Sequence, residues 1–301
     1  MLRLGIVDFD SSHSVEFTRR INHVGVPSDQ WVAGARVVAG CPGTSQMAPD
    51  RIAGFTPQIA ACGVELVKEP GELIGRVDGV LVLSLSGQVH LDRARPFFEA
   101  GIPTFVDKPF ACRSEDAREM IGLAEQHGVM LFSSSALRFC EQLERYAEQS
   151  ADHGAVIGAV SHGPAWRDEG NPGLFHYGIH ATEALYALLG PGCHSVSVLS
   201  TDAVDLVTAR WKDGRLAVIR GSRQGATAYG IVAYSERSVT HLAMSTRYAY
   251  RNLCRRIVTA FEEGTAPVRP SESLEVVEFI EAALESERRG GELVALPTAA
   301  A

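Results

Sequence analysis

Short apolar runs and helical segments alternate over the first 134 residues. Leu2–Val7, Ala35–Ala39 and Gly79–Leu85 are apolar runs that predict buried strands. The third run is apolar over most of its length, as expected of a strand covered on both faces. A helical pattern such as Ser114–His127 starts with a serine cap and two acids and ends before a glycine. This alternation of strands and helices predicts a Rossmann-type, doubly wound parallel sheet for residues 1–134.

After residue 134 the pattern changes to β-like runs, several of which alternate polar and apolar residues. These runs are Ala155–Ser161, Ser195–Ser200, Val204–Trp211, Arg215–Arg220, Ala226–Tyr234 and Ser238–Met244. Lys212-Asp213-Gly214 joins two of them as a hairpin turn. We therefore expect a second α/β domain, residues 135–301, with a mainly antiparallel sheet. The open face of such a sheet can serve an active site or a partner subunit.

Helices are also expected in this second half, at about Leu174–Leu189, Tyr248–Glu263 and Ser271–Arg288. The third of them is amphipathic. Its apolar stripe consists of Leu274, Val277, Ile280 and Leu284, and the glutamates largely off that stripe are Glu272, Glu275, Glu278 and Glu285. We expect this final helix to pack back on the first domain.

Composition and charge narrow the class of protein. The net charge of −8, from 28 basic and 36 acidic residues, argues against nucleic acid as the main partner because a phosphate backbone requires a basic face. No apolar run is long enough to span a membrane. The six cysteines show no CxxC spacing, which favours reduced thiols in a cytoplasmic protein over a zinc ribbon. The chain begins directly with a strand, without the pattern of a signal peptide.

The segment AGIPTFVDKPFACRSEDAREM, residues 100–120, resembles the Gfo/Idh/MocA family (glucose–fructose oxidoreductase / inositol dehydrogenase). In that family the fifth Rossmann strand ends in Glu-Lys-Pro before a capped helix, and here the tripeptide is Asp107-Lys108-Pro109. Residues 77–101, 131–139, 176–190 and 255–286 resemble further family segments in the same order. The resemblance implies a homo-oligomeric, NAD(P)-dependent oxidoreductase that acts on a sugar, a cyclitol or a related hydroxylated small molecule.

Lys108 is the first candidate for catalysis. It follows the carboxyl end of a strand, where open α/β sheets bind ligands, and Asp107 can hold its ammonium group. An ammonium at that place can bind a substrate hydroxyl and stabilise the alkoxide that develops as hydride leaves. Composition alone favours a solvated surface lysine, and the family resemblance favours the catalytic role.

His176, His180 and Glu183 form the second candidate cluster. At positions i, i+4 and i+7 of a helix they share one face. The resemblance implies that His180 is a general acid/base; the family's acidic residue aligns with His176, so Glu183 is the carboxylate that could replace it. The three side chains could also be half of a metal site, and the two histidines could simply be partly exposed near a helix start.

Four further residues are candidates for contact with the substrate. Arg138 matches a family position at the crossing between the domains, and Trp166, Arg167 and Tyr177 flank the predicted cleft. Arginines and aromatic residues at such places are as often structural.

The turn after the first strand, DFDSSH, departs from the family pattern. The three glycines of Gly-x-Gly-x-x-Gly fall on Asp8, Asp10 and His13, and Cys41-Pro42-Gly43 stands where an acid usually binds the adenine ribose. A carboxylate ~4 Å from a phosphate charge costs roughly 4 kcal/mol at an effective dielectric near 20. Three interpretations remain open. The cofactor adopts a rotated or weakened pose at the helix N-terminus, the three side chains face a substrate or a metal ion, or the acids cap the following helix.

The resemblance implies that NAD or NADP contacts this turn and the loops after the fourth and fifth strands. The candidate residues are Asp8, Phe9, Asp10, Ser12, His13, Ser84, Ser86, His90, Asp107 and Lys108. Three functions are consistent with the sequence. The first is the NAD(P)-dependent oxidoreductase. The second is a family member without ordinary nicotinamide use, as an acid/base lyase, hydrolase, epimerase or binding subunit, and the third is a metal-dependent enzyme.

Overall fold

A computed structural model describes residues 1–297, which form two compact units. The first unit contains Met1–Ala111, Glu115–Ser134 and Tyr250–Pro270. The second contains Cys112–Ser114, Ser135–Ala249 and the described residues from Ser271 onward. The chain therefore returns to the first unit at Tyr250–Pro270, a segment that the division expected at residue 134 assigns to the second domain.

The regular elements are named in chain order. The strands are β1 (Leu2–Val7), β2 (Ala35–Cys41), β3 (Glu65–Leu66), β4 (Gly79–Val82), β5 (Thr104–Val106), β6 (Leu131–Ser133), β7 (Val156–Pro164), β8 (Cys193–Ser200), β9 (Val204–Trp211), β10 (Leu216–Ser222), β11 (Gly230–Ser235), β12 (Val239–Ala243) and β13 (Val294–Ala295). The helices are α1 (Ser12–Asn22), α2 (Pro49–Ala60), α3 (His90–Glu99), α4 (Ser114–Gln126), α5 (Glu141–Glu148), α6 (Ser150–His153), α7 (Gly178–Leu189), α8 (Ala249–Glu263) and α9 (Pro270–Arg288).

The sheet of the first unit has the strand order β3-β2-β1-β4-β5-β6, and its pairings are parallel. All side chains of β4, β5 and β6 are buried, as in a sheet covered on both faces. The strand order reverses at β1, so the carboxyl ends of β1 and β4 lie at the switch point where open α/β sheets bind ligands. The predicted doubly wound sheet is confirmed.

The sheet of the second unit has the order β12-β11-β7-β10-β9-β8-β13. The β7–β10 pair is parallel and the other pairs are antiparallel, which confirms the prediction of a mainly antiparallel sheet. Helix α7 packs against β7, β10 and β11 on one face. Along β9 exposed and buried residues alternate, so the opposite face of the sheet is open within this unit.

Two features of the helices differ from the sequence pattern. Helix α2 is not predicted, because Gly54 and Pro57 interrupt its apolar periodicity. The glutamates Glu275 and Glu278 of α9 are buried, although the pattern places them off the apolar stripe. Glu275 accepts hydrogen bonds from the Tyr186 hydroxyl and from the backbone N–H groups of Gly192 and Cys193, which satisfies its carboxylate inside the unit.

The two closing helices fall in different units. Most of α8 belongs to the first unit, where the Phe261 ring packs so closely over Gly79 that a Cβ atom there would come within 2.6 Å of it. Most of α9 belongs to the second unit, and its packing on the first domain stays a prediction. None of the helices within residues 1–297 combines the length and the apolar character that crossing a bilayer requires.

Candidate active site

The turn after β1 keeps a glycine-like backbone without a glycine. Asp8 has φ 64°, in the left-handed region that the family's first glycine would occupy at no steric cost. Its N–H donates to the Cys41 carbonyl and the Phe9 N–H donates to the Pro42 carbonyl, both at 3.0 Å. The Phe9 ring is fully buried against Gly40. Backbone hydrogen bonds and the Phe9 ring therefore hold the turn against the end of β2 and the loop that follows it.

The Asp8 carboxylate is buried and asymmetrically bonded. Its Oδ2 accepts from the Ser84 hydroxyl at 2.6 Å and from Arg93 Nε at 2.9 Å. Its Oδ1 is buried and has no hydrogen-bond partner among the described residues. This oxygen lies against Gly43, where an added Cβ atom would come within 1.7 Å of it. Arg93 compensates the charge, but one oxygen of Asp8 lacks a donor.

Asp10 joins the turn to the loop after β4. Its carboxylate accepts from the Leu85 N–H at 2.9 Å, and Ser45 supplies a second hydrogen bond. Burial raises the pKa of this carboxyl, the two hydrogen bonds oppose the rise, and the charge of Asp8 adds to it. Asp8 and Asp10 are thus each bonded to groups of neighbouring loops, and neither caps α1, whose N-cap is Ser11.

His13 and Asp107 form a buried pair between α1 and the end of β5. His13 Nδ1 lies 2.6 Å from Asp107 Oδ2. The imidazole stacks on Phe17 and meets the edge of Tyr250 at a centroid distance of 5.0 Å. Burial opposes the charged form of Asp107, but His13 and the ammonium of Lys108 together hold its pKa below the ordinary value.

Lys108 is buried, in contrast to the exposed Lys68 and Lys212. The turn it begins, with a cis peptide bond to Pro109, is held by the fully buried His90. His90 Nδ1 lies 2.9 Å from the Pro109 carbonyl oxygen, and Nε2 lies 2.9 Å from that of Ser84. His90 therefore ties the Lys108 turn to the end of β4.

Two further cofactor candidates lie at the rim of this edge. Ser12 is exposed at the first position of α1, and Ser86 is half-buried in the loop after β4. The Ser86 hydroxyl accepts a hydrogen bond from the Gln88 N–H at 3.2 Å. The carboxyl ends of β1, β4 and β5 thus bring together the predicted cofactor residues of the first unit, and Arg93 and Tyr250 join them although the sequence reasoning missed both.

In the second unit the predicted helix face of His176, His180 and Glu183 is not formed. Gly173, with φ +56°, belongs to a short 3₁₀ turn, and α7 begins only at Gly178, so His176 precedes the helix. His180 Nδ1 lies 2.7 Å from the Ser135 hydroxyl, which takes the place expected for a carboxylate. Ser135 is a hydrogen-bond partner of His180 that the sequence reasoning missed.

Glu183 and Arg138 are members of a buried ion-pair triad with Glu272. Arg138 Nε donates to Glu183, and Arg138 Nη2 lies 2.7 Å from Glu272 Oε1. Burial lowers and the two carboxylates raise the pKa of Arg138, and the carboxylates prevail. Burial raises the pKa of Glu183 despite Arg138. The structure thus pairs Arg138 with two carboxylates of its own unit, and its contact with substrate stays a prediction.

The remaining substrate candidates lie apart from this triad. Trp166 is exposed, and its ring meets that of Tyr177 at a centroid distance of 4.6 Å. Tyr177 in turn lies against the His176 ring, and His180 lies against Tyr229. Arg167 bonds Asp205 and Glu287, both at 2.8 Å, at the wall of a cavity of about 550 Å³. Trp166 and Tyr177 therefore join the histidines, and Arg167 belongs to a separate ion-pair network.

Metal binding receives no support from the geometry. Within residues 1–297, no group of three or more His, Cys, Asp or Glu side chains is arranged to hold a metal ion. The two candidate clusters of the sequence are dispersed, because Asp8, Asp10 and His13 bond separate partners and Glu183 pairs with Arg138.

The fold and the buried lysine at the end of β5 define a two-unit Rossmann-type protein. The model of an oxidoreductase family with an NAD-binding Rossmann fold, Gfo/Idh/MocA, matches residues 50–135. The matched stretch includes Asp107-Lys108-Pro109, the tripeptide on which the resemblance in the sequence depends. No curated protein matches the chain at a significant level.

Solved structures share this fold over nearly the whole chain. The "probable dehydrogenase from Thermotoga maritima" is 20% identical with a TM-score of 0.79, and the match covers 99% of this chain and 100% of that one. Scyllo-inositol dehydrogenase from Lactobacillus casei, with bound NAD(H) and scyllo-inositol, is 15% identical with a TM-score of 0.79 and coverages of 98% and 99%. Myo-inositol 2-dehydrogenase from Lactobacillus plantarum is 16% identical with a TM-score of 0.78 and the same coverages. At these identities the likeness shows the fold.

Proposed function

We propose that the protein is an NAD(P)-dependent oxidoreductase that acts on a sugar, a cyclitol or a related hydroxylated small molecule. The observation that carries the proposal is the buried Lys108 at the carboxyl end of β5, inside the stretch that matches an NAD-binding oxidoreductase family. Two relatives in fold support the substrate class, because one is a scyllo-inositol dehydrogenase with bound NAD(H) and the other is named as a myo-inositol dehydrogenase.

The residues at the switch point fit a nicotinamide dinucleotide on two observations. Asp8 retains the left-handed turn that the family's first glycine provides. Its buried Oδ1 lacks a donor among residues 1–297 and lies against the loop after β2, which in Rossmann proteins supplies the acid that binds the ribose hydroxyls. When bound, the nicotinamide exchanges a hydride with the substrate carbon.

Lys108 is proposed to bind the reacting oxygen. A buried ammonium next to the ionised Asp107 is held in position, and in its partly desolvated surroundings it stabilises an alkoxide more strongly than an exposed lysine does. Asp107 is itself fixed by His13, so the orientation of Lys108 depends on a residue of α1.

His180 is proposed to carry the proton. The Ser135 hydroxyl orients the imidazole through Nδ1, which assigns the proton exchange with the substrate hydroxyl to Nε2. The Tyr177 ring contacts the rings of His180, His176 and Trp166. We assign Tyr177, His176 and Trp166 to substrate positioning. Glu183 acts on this site only through the triad that holds α7.

We further propose that the chain is a cytoplasmic homo-oligomer that pairs through the open face of the second sheet. Leu206, Leu216 and Tyr234 are exposed on three strands of that face. A large exposed apolar patch on a sheet is typical of a subunit contact. The cysteines are free and buried, which agrees with a reducing compartment.

The test is a spectrophotometric assay of NAD and NADP reduction with a panel of inositols and sugars. We expect turnover of at least one of them, and we expect Lys108→Ala to lower kcat by roughly 10²-fold, the loss typical for one stabilising donor. The matched control is Lys68→Ala, which removes an exposed lysine of the same unit and should leave kcat unchanged.

Wild-type kcat in Lys108→Ala would contradict the assigned role of this lysine. Failure of the folded wild type to bind either cofactor would instead favour the acid/base enzyme without nicotinamide as the function of this chain.

A further inference from the structure

The Asp8 side chain follows β1, but its carboxylate lies against Gly43 in the loop that follows β2. In this fold the loop after β2 usually supplies an acid that binds the ribose hydroxyls. Here that loop reads Cys41-Pro42-Gly43-Thr44 and contains no acid. The Asp8 carboxylate, which comes from the end of β1, lies close to this loop. Its Oδ1 occupies the space that the Cβ atom of a side chain at position 43 would need.

We propose that Asp8, at the position of the family's first glycine, replaces the missing acid and makes the chain select NAD over NADP. The inference rests on the proposed function, since it names the cofactor that the same site prefers. It assigns one residue two tasks that the family divides between two strands: Asp8 forms the turn after β1, and it recognises the ribose at the end of β2.

The hydrogen bonds of Asp8 indicate what its unpartnered oxygen, Oδ1, binds. Ser84 and Arg93 saturate Oδ2, and Oδ1 is left as an acceptor without a donor. A buried carboxylate oxygen without a donor is unfavourable, so the site is completed by a group that donates hydrogen bonds. The ribose of NAD presents hydroxyls of this kind, whereas the 2′-phosphate of NADP presents only negatively charged acceptors.

Arg93 is the feature that could reverse this preference, because an arginine near the ribose accommodates a 2′-phosphate in NADP-dependent proteins. Its Nε is bonded to Asp8 Oδ2 at 2.9 Å, and its Nη2 faces the Thr44 hydroxyl at 3.4 Å. The ion pair offsets the charge of Arg93, and its geometry positions the carboxylate. In this chain Arg93 therefore holds the Asp8 carboxylate in position.

The experiment is a calorimetric titration of the full chain with NADH and with NADPH. We expect the wild type to bind NADH more tightly than NADPH by about tenfold or more. In Asp8→Asn the amide keeps the shape and tolerates the left-handed backbone, and its oxygen turns to Ser84 and Arg93. The NH₂ group then replaces Oδ1, and we expect the ratio of the two Kd values to fall to about one.

The matched control is Asp78→Asn, which removes an exposed acid of the same unit. Asp78 bonds Arg3 just before β4, at the amino end of the sheet, so this variant should leave the Kd ratio at its wild-type value. Asp8→Gly is the second test variant, because glycine restores the family residue and relieves the left-handed backbone. It should reduce the ratio as Asp8→Asn does.

The outcomes separate this inference from the proposed function. Preference of the wild type for NADPH, or an unchanged ratio in both Asp8 variants, overturns the role of Asp8 and leaves the oxidoreductase intact. Binding of neither cofactor by the folded wild type overturns the proposed function and this inference with it.

Discussion

At the scale of single residues, the Arg138 triad gives the sharpest expectation for stability. Arg138→Met removes the cation and leaves the buried Glu183 and the partly buried Glu272 without a counter-charge. Breaking a buried ion pair from one side costs about 3–5 kcal/mol, so we expect a loss of this order in the free energy of unfolding measured in urea. An exposed pair serves as control: Arg288→Met, which removes a surface partner of Glu285, should leave the urea midpoint unchanged. An unchanged midpoint in Arg138→Met would mean that the triad does not hold α7.

The same scale shows where sequence reasoning stops. The sequence placed Asp8, Asp10 and His13 together in one turn, as the structure does, because they are neighbours along the chain. Their partners come from elsewhere: Arg93 is 85 positions from Asp8, and Asp107 is 94 positions from His13. Pairings over such a separation have no local sequence signal, so the partners of these three side chains were not predicted. The structure shows that each side chain has its own partner.

At the scale of elements, the short turn before α7 decides where the histidines lie. Gly173 has a left-handed backbone, and a Cβ atom at this position would come within 2.5 Å of Leu284 Cδ2. We expect Gly173→Ala to destabilise the protein by about 1–3 kcal/mol in thermal unfolding, through backbone strain and overpacking. Gly122→Ala is the matched control with the opposite sign, because Gly122 lies in α4 with open space around it. Alanine there should stabilise the helix by about 1 kcal/mol. Equal shifts in both variants would contradict the argument.

Elements with strong local signals were predictable, and elements set by tertiary contacts were not. Leu2–Val7 and Val204–Trp211 were predicted with the bounds that the structure shows, because an apolar run and a clean alternation define them. The start of α7 was placed at Leu174 instead of Gly178, since nothing local marks Gly173 as left-handed. Glu275 can be buried because the N–H groups of Gly192 and Cys193, at the start of β8, donate hydrogen bonds to it. The helical periodicity of α9 carries no information about these donors.

At the scale of the whole molecule, the open face of the second sheet carries the last expectation. Strand register places Val239, Tyr234, Gly158, Leu216 and Arg210 in one row across β12, β11, β7, β10 and β9. Val239, Tyr234 and Leu216 are exposed apolar side chains in this row. A row of this kind on an uncovered sheet face suits a second copy of the same face, because an isologous contact brings like residues together about a twofold axis.

We therefore expect the wild type to sediment as a dimer or a larger oligomer in analytical ultracentrifugation. Leu216→Lys introduces a charge within the row, and desolvating it across a twofold contact should shift the equilibrium towards the monomer by at least about tenfold in Kd. Ile74→Lys is the matched control, since Ile74 is also an exposed apolar residue but lies in the first unit, outside this face. A monomeric wild type at all concentrations would show that the open face does not pair copies of this chain. Dissociation by both lysine variants would show that the effect is one of net charge and does not depend on the sheet.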